Sequence, residues 1–124
     1  VAALAANLDA MGYFPVSHGV FGAMADKDLA AMLAKMEPLI DRWYFTDLPI
    51  ARAETARGLA ARWQAQQPAS KVPVSIHASP MEAFAAAVAA ANPTDRIVVF
   101  GSFHTVGGVL RDGVPRLQAK HLAS

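Results

Sequence analysis

The sequence contains no cysteine among its 124 residues. Disulfide bonds and thiolate zinc sites are therefore excluded, and we expect a cytoplasmic protein, since a chain without cysteine fits a reducing compartment. An excess of charge of one sign is also lacking, because 11 lysines and arginines stand against 10 aspartates and glutamates. The basic residues form neither a run nor a stripe, so we expect no nucleic-acid partner.

Long apolar runs and phosphate-binding glycine motifs are missing as well. The longest apolar stretch, residues 83–91, is much shorter than the roughly 20 residues that span a bilayer, so we expect no membrane segment. Neither a GxxxxGKS/T loop nor a GxGxxG motif occurs, so both standard cradles for a phosphate chain are absent. The four histidines lack metal-ligand spacing, and no signature of nucleophilic catalysis accompanies them. We therefore predict neither a metal site nor a complete catalytic site.

Apolar periodicity and capping residues predict strands and helices in alternation. Strands are predicted at residues 16–21, 43–45, 72–76 and 96–100, and helices at 1–11, from about 27 to 38, at 54–66 and at 80–91, with a short helix after residue 101. Ser79 and Glu82 fit a capping box, and Asp26 fits the cap of a helix that begins around Lys27. No hairpin dipeptide separates two strands, so we predict one α/β domain over residues 1–124, three-layered and Rossmann-like, with a mostly parallel sheet and helices on both faces.

In an open parallel sheet, ligands bind beyond the carboxyl ends of the strands, so the loops GAMADKD, TDLPIAR, HASP and GSFHT share one edge. Lys27 in the first of these loops is either a solvated lysine or a cation aimed at a bound carboxylate. Ser102 and Thr105 are either helix caps or ligand contacts. His104 is the one histidine that its loop singles out, and Arg52 is either an anion contact or a plain loop charge.

The two tryptophans and the other three histidines are expected to have structural roles. We predict that Trp43 and Trp63 pack in the core. His18, His77 and His121 are expected to be surface residues or to form local hydrogen bonds.

Four segments, ANLDAMGYFP, VFGAMADKD, MEPLIDRWYFTDLP and RIVVFGSFHTVGGVL, together resemble the carboxy-terminal domain of folylpolyglutamate synthases, which in bacteria are often also dihydrofolate synthases. The likeness covers nearly the whole chain in order. Its most specific part is ADKD after a first strand combined with GSFHTV after a last one. The resemblance implies a Mur-ligase-like enzyme whose central domain holds ATP and magnesium and whose last domain helps to bind the incoming amino acid.

The resemblance also implies a chemistry. The carboxylate of dihydropteroate or of a folate takes the γ-phosphate of ATP, and the amine of L-glutamate attacks the resulting acyl phosphate. By similarity to related Mur ligases, Lys27 and Ser102 match positions that hold the carboxylates of the incoming amino acid. His104 and Thr105 belong to the same motif as Ser102 and are included as glutamate-binding candidates without a defined role.

The family's Asp-x-Ala-His-Asn-Pro stretch, and the strand before it, do not occur in this sequence. We therefore expect a domain truncated at its N-terminal edge that works with the rest of a parent polypeptide and is inactive alone. The residues themselves leave two other functions open, namely a stand-alone Rossmann-like module that senses a small anion or nucleotide, and a scaffold domain whose loops are plain surface.

Overall fold

The computed structural model describes residues 14–101, 105–107 and 109. Within these ranges four strands alternate with helices: β1 (Ser17–Phe21), α1 (Leu29–Met36), β2 (Arg42–Thr46), α2 (Ala56–Gln66), β3 (Val74–His77), α3 (Pro80–Ala90) and β4 (Arg96–Phe100). A short 3-10 helix, Glu37–Leu39, follows α1, and residues 105–107 are helical. The helix predicted at residues 1–11 lies outside the described residues, as do Ser102, His104 and His121.

The sheet has the order β3-β2-β1-β4, and all its described strands are parallel. The chain first steps from β1 through β2 to β3, and β4 then returns to the other side of β1. Phe21, the last residue of β1, accordingly pairs with Phe45 on one side and Phe100 on the other. This reversal places a topological switch point between β1 and β4, which is where open α/β sheets bind ligands.

Helices cover both faces of the sheet, as predicted. Because strand side chains alternate between the two faces, Trp43 and Phe45 point to the side of α1 and α2, while Tyr44 points to the side of α3. The first layer is rich in aromatic residues, and the ring centroids of Trp43 and Trp63 lie 5.1 Å apart. Both tryptophans are buried, at 1% and 2% exposure, which confirms their predicted place in the core.

The start of α3 matches the sequence prediction. The Ser79 hydroxyl accepts a hydrogen bond from the backbone N–H of Glu82 at 3.2 Å, and Pro80 occupies the first helical position. Pro is favoured there because its fixed φ suits a helix and its missing N–H would have no partner.

The start of α1 differs from the prediction. The helix begins at Leu29, and Asp28 rather than Asp26 is the cap, because its carboxylate accepts from the N–H of Ala31 at 3.1 Å. The preceding residues form a turn in which the N–H of Lys27 donates to the Met24 carbonyl at 3.2 Å. Lys27 therefore precedes the cap and does not lie in the first helical turn.

The histidines divide into two cases. His77 is half-buried and makes a local hydrogen bond of 2.8 Å with Ser75, as expected. The expectation for His18 was wrong, since its side chain is fully buried and its partners, Tyr44 and Asp95, are distant in sequence. In the part of the chain that the structure describes, no helix has the length and apolar character needed to cross a bilayer.

Candidate functional site

The site begins at the peptide units of Gly22, the first residue after β1. Its N–H points to the carbonyl of Phe100 at 3.4 Å, which extends the β1–β4 ladder beyond the last strand pair. Its carbonyl accepts the hydroxyl hydrogen of Thr105 at 2.7 Å. The two loops at the switch point are therefore joined directly.

Two glycines allow this close approach. A Cβ on Gly22 would lie 2.8 Å from the Thr105 hydroxyl and 2.8 Å from a methyl group of Thr46. Gly101 has φ +107°, which L side chains rarely adopt, and a Cβ there would lie 2.5 Å from the Gly22 carbonyl oxygen. The turn that opens the GSFHT loop thus requires glycine both for its backbone angle and for space.

Lys27 stands exposed on the loop formed by residues 22–28. That loop is tied to the one after β2, because the N–H of Ala25 donates to the Arg52 carbonyl at 2.8 Å and the N–H of Glu54 donates to the Ala23 carbonyl at 2.9 Å. Arg52 is exposed too, and neither cation forms an ion pair with any other residue that the structure describes. The described part of this edge thus presents two exposed cations, Lys27 and Arg52, together with the exposed carboxylate of Asp26.

Two carboxylates in the loop after β2, Asp47 and Glu54, already accept hydrogen bonds from protein donors. Asp47 accepts from the N–H of Ala56 at 2.7 Å. Glu54 accepts from the N–H of Thr55 at 2.9 Å and from Arg62 at 3.2 Å. The described residues contain no group of three or more His, Asp or Glu side chains able to hold a metal ion.

The four sequence-predicted site residues have different positions. Lys27 is exposed at the ligand edge, whereas Thr105 is fully buried with its hydroxyl bonded to Gly22. Ser102 and His104 lie outside the described residues, and the last described residues before them, Phe100 and Gly101, lie next to Phe21 and Gly22 at the start of the Lys27 loop. Glutamate binding by these residues stays a prediction.

Sequence reasoning missed a polar cluster in the interior. The ring nitrogens of His18 lie 2.8 Å from the Tyr44 hydroxyl and 3.0 Å from a carboxylate oxygen of Asp95. Burial raises the pKa of Tyr44, while hydrogen bonds from Asn92 and then His18 lower the pKa of Asp95. His18 and Asp95 lie near the amino ends of β1 and β4, so this cluster is at the edge opposite Lys27.

Comparison with known proteins agrees with this geometry. The family model described as "Mur ligase, glutamate ligase domain" matches residues 1–103. The dihydrofolate synthase/folylpolyglutamate synthase of Escherichia coli (strain K12) is 34% identical over 91 residues, which make up 73% of this chain and 20% of that protein. The chain therefore spans about a fifth of this relative's length.

Solved structures give the same result. The structure of E. coli FolC in complex with DHPP and ADP matches with a TM-score of 0.81 and 28% identity, over 97% of this chain and 26% of that one. A bifunctional folylpolyglutamate synthase/dihydrofolate synthase with Mn, AMPPNP and L-glutamate bound matches with a TM-score of 0.73 and 27% identity, over 89% of this chain and 25% of that one. The resemblance seen in the sequence is confirmed, and the chain belongs to the Mur ligase family, within its glutamate ligase domain.

Proposed function

We propose that this chain is the glutamate-binding domain of a longer, ATP-dependent ligase that adds L-glutamate to dihydropteroate or to a folate. The observation that carries the proposal is the position of Lys27. It is an exposed cation at the ligand edge, without an ion pair among the described residues, on a loop joined through Gly22 to the turn at Gly101. The names of the relatives, and the L-glutamate bound in a similar structure, support the choice of substrate.

In this proposal Lys27 and Ser102 bind the carboxylates of the incoming glutamate from two sides of the switch point. His104 and Thr105 belong to the Ser102 side of the site. Glutamate held by its carboxylates is oriented so that its amine reaches the acyl phosphate of the pterin substrate. The C–N bond then forms, the C–O bond to phosphate breaks, inorganic phosphate leaves with the electron pair, and the nitrogen loses a proton.

ATP and magnesium are assigned to the rest of the parent polypeptide. The sequence has no phosphate-binding glycine loop, and the described residues offer no cluster for a metal ion. Alone, the chain is therefore expected to be inactive. Closure of the parent's domains would bring the glutamate-binding residues of this domain close to the nucleotide bound by the rest of the parent polypeptide.

The test uses the full-length ligase with Lys27→Ala or Ser102→Ala. Loss of a hydrogen bond to a charged carboxylate should raise the KM for glutamate by about tenfold or more. The KM for ATP should stay unchanged. Lys35→Ala is the matched control, since Lys35 is an exposed lysine in the last turn of α1, and it should alter neither constant. An unaltered glutamate KM in both variants would refute the site.

A binding experiment separates this proposal from a stand-alone nucleotide sensor. Calorimetric titration of the chain with ATP and ADP should show no tight binding, because both standard phosphate cradles are absent from the sequence. A sub-micromolar affinity would favour the sensor. A scaffold domain, in contrast, would leave every kinetic constant of the full-length ligase unchanged when Lys27 or Ser102 is replaced.

A further inference from the structure

We infer that Thr105 is a positioning residue that fixes the start of the Lys27 loop at Gly22 and so sets the position of Lys27 in the glutamate site. The inference rests on the proposed function and deepens it. It assigns Thr105 a role that involves no contact with glutamate. The residue acts through the backbone of Gly22.

A hydrogen bond joins Thr105 to Gly22, the first residue of the Lys27 loop. The Thr105 hydroxyl donates to the Gly22 carbonyl at 2.7 Å across 83 positions of sequence. The Thr105 side chain has no exposed surface, and a hydroxyl has only one hydrogen to donate, so this donor is not available to a substrate. A second bond, from the N–H of Gly22 to the Phe100 carbonyl at 3.4 Å, holds the same residue from the β4 side.

Packing makes the position of Gly22 depend on the threonine side chain. The Thr105 hydroxyl lies 2.8 Å from the place where a Gly22 Cβ would be, so it occupies the space that a side chain would need. Gly101, which follows β4 four positions before Thr105, approaches so closely that its own Cβ would lie 2.5 Å from the Gly22 carbonyl. Thr105 and Gly101 thus both pack against the backbone of Gly22, which a change at Thr105 would move.

The segment between Gly22 and Lys27 transmits such a movement. The carbonyl of Ala23 and the N–H of Ala25 are both bonded to the loop after β2, at 2.9 and 2.8 Å. The N–H of Lys27 then closes a turn onto the Met24 carbonyl at 3.2 Å. Because little of this backbone is free to adjust, a displaced Gly22 shifts Lys27 relative to Gly101.

The experiment compares Thr105→Val with Thr105→Ser in the full-length ligase. Valine keeps the shape but leaves the buried Gly22 carbonyl without its donor, so the KM for glutamate should rise by about tenfold. Serine keeps the hydroxyl and should restore the KM, while the KM for ATP stays unchanged in both. Thr105→Ala provides a second variant without the hydroxyl if valine fails to fold, and melting curves set an assay temperature at which every variant is folded.

A double mutant distinguishes this inference from the proposed function. If Lys27→Ala and Ser102→Ala leave the glutamate KM unchanged, the proposed function fails. If Lys27→Ala raises that KM, Thr105→Val should add less to it than it does in the wild type, because no cation remains to be positioned. Four outcomes would each overturn the inference and leave the proposed function standing. Two concern Thr105→Val alone, namely no effect on the KM for glutamate or an equal rise in the KM for ATP. The others are a serine variant that does not restore the KM for glutamate and full additivity of Thr105→Val with Lys27→Ala.

Discussion

His18 and Asp95 are 77 positions apart, yet a ring nitrogen of the one lies 3.0 Å from a carboxylate oxygen of the other, with both side chains buried. The other ring nitrogen lies 2.8 Å from the Tyr44 hydroxyl. A carboxylate can only accept, so the histidine Nε2 carries a hydrogen, and a neutral ring then accepts the hydroxyl hydrogen of Tyr44 at Nδ1. These bonds connect β1, β2 and the turn before β4.

The first prediction concerns the hydroxyl of Tyr44. Tyr44→Phe keeps the ring that stacks on His77 at a centroid distance of 6.0 Å, so it removes only the hydroxyl, with its bond to His18 and its interaction with Arg42. His18 is then left with a buried, unpaired nitrogen, which should lower the free energy of unfolding by about 1–3 kcal/mol. Urea unfolding of both proteins measures the difference. An unchanged free energy would show that the cluster does not stabilise the fold.

The second prediction is a pH dependence. The N–H of Asn92, and after it His18, hold the pKa of Asp95 below its ordinary value of 3.8. A carboxyl group with a lowered native pKa stabilises the fold above its unfolded pKa and loses that contribution as the pH falls toward the native value. The advantage of the wild type over Asp95→Asn should therefore be complete near neutral pH and shrink below pH 3.8. Unfolding curves at a series of pH values test this, and a constant difference would contradict it.

The third prediction compares two glycines. Gly101→Ala should lower the free energy of unfolding by roughly 2 kcal/mol or more, since alanine would have to adopt φ +107° and would meet the Gly22 carbonyl. Gly107 is the matched control, because it is helical and a Cβ there meets nothing within 4 Å. Gly107→Ala should be stabilising by up to about 1 kcal/mol. Thermal melts of the two variants measure the difference in stability, and equal shifts in melting temperature would refute the role of Gly101.

The fourth prediction concerns the cap of α1. Asp28→Ala removes the carboxylate that accepts from Ala31 and should lower the free energy of unfolding by about 0.5–2 kcal/mol. Asp26→Ala is the control, since Asp26 is exposed and makes no side-chain hydrogen bond to any residue that the structure describes. Chemical denaturation should separate the two variants. A larger loss for Asp26→Ala would mean that the helix begins earlier.

Much of the fold followed from local sequence. The run of apolar residues in β4 and the Ser79 cap of α3 were predicted correctly, because both depend on neighbours within a few positions. The cap of α1 was not, since Asp26 and Asp28 suit the role equally well by spacing. The choice between them depends on the turn at Lys27 and on bonds to a loop more than 25 positions away.

For the candidate site, only the edge of the sheet was predictable. Parallel strands bring their carboxyl ends to one edge, so the loop with Lys27 and the loop with Ser102 were expected to be close. The contact of Thr105 with Gly22 was not predictable, because it depends on β4 pairing with β1. The His18 cluster was not predicted for the same reason, since only the sheet order brings its members together.

The bonds between the loops after β1 and β2 limit how this edge can change in length. Arg52 is bonded to Ala25 and Glu54 to Ala23. The two-residue spacing between the bonded positions must therefore be kept on both loops. Insertions between Asp47 and Arg52 should leave both bonds in place, whereas an insertion between Arg52 and Glu54 should displace Ala23 or Ala25 and the residues that lead to Lys27. Engineering of this edge should therefore exchange the two loops as one unit.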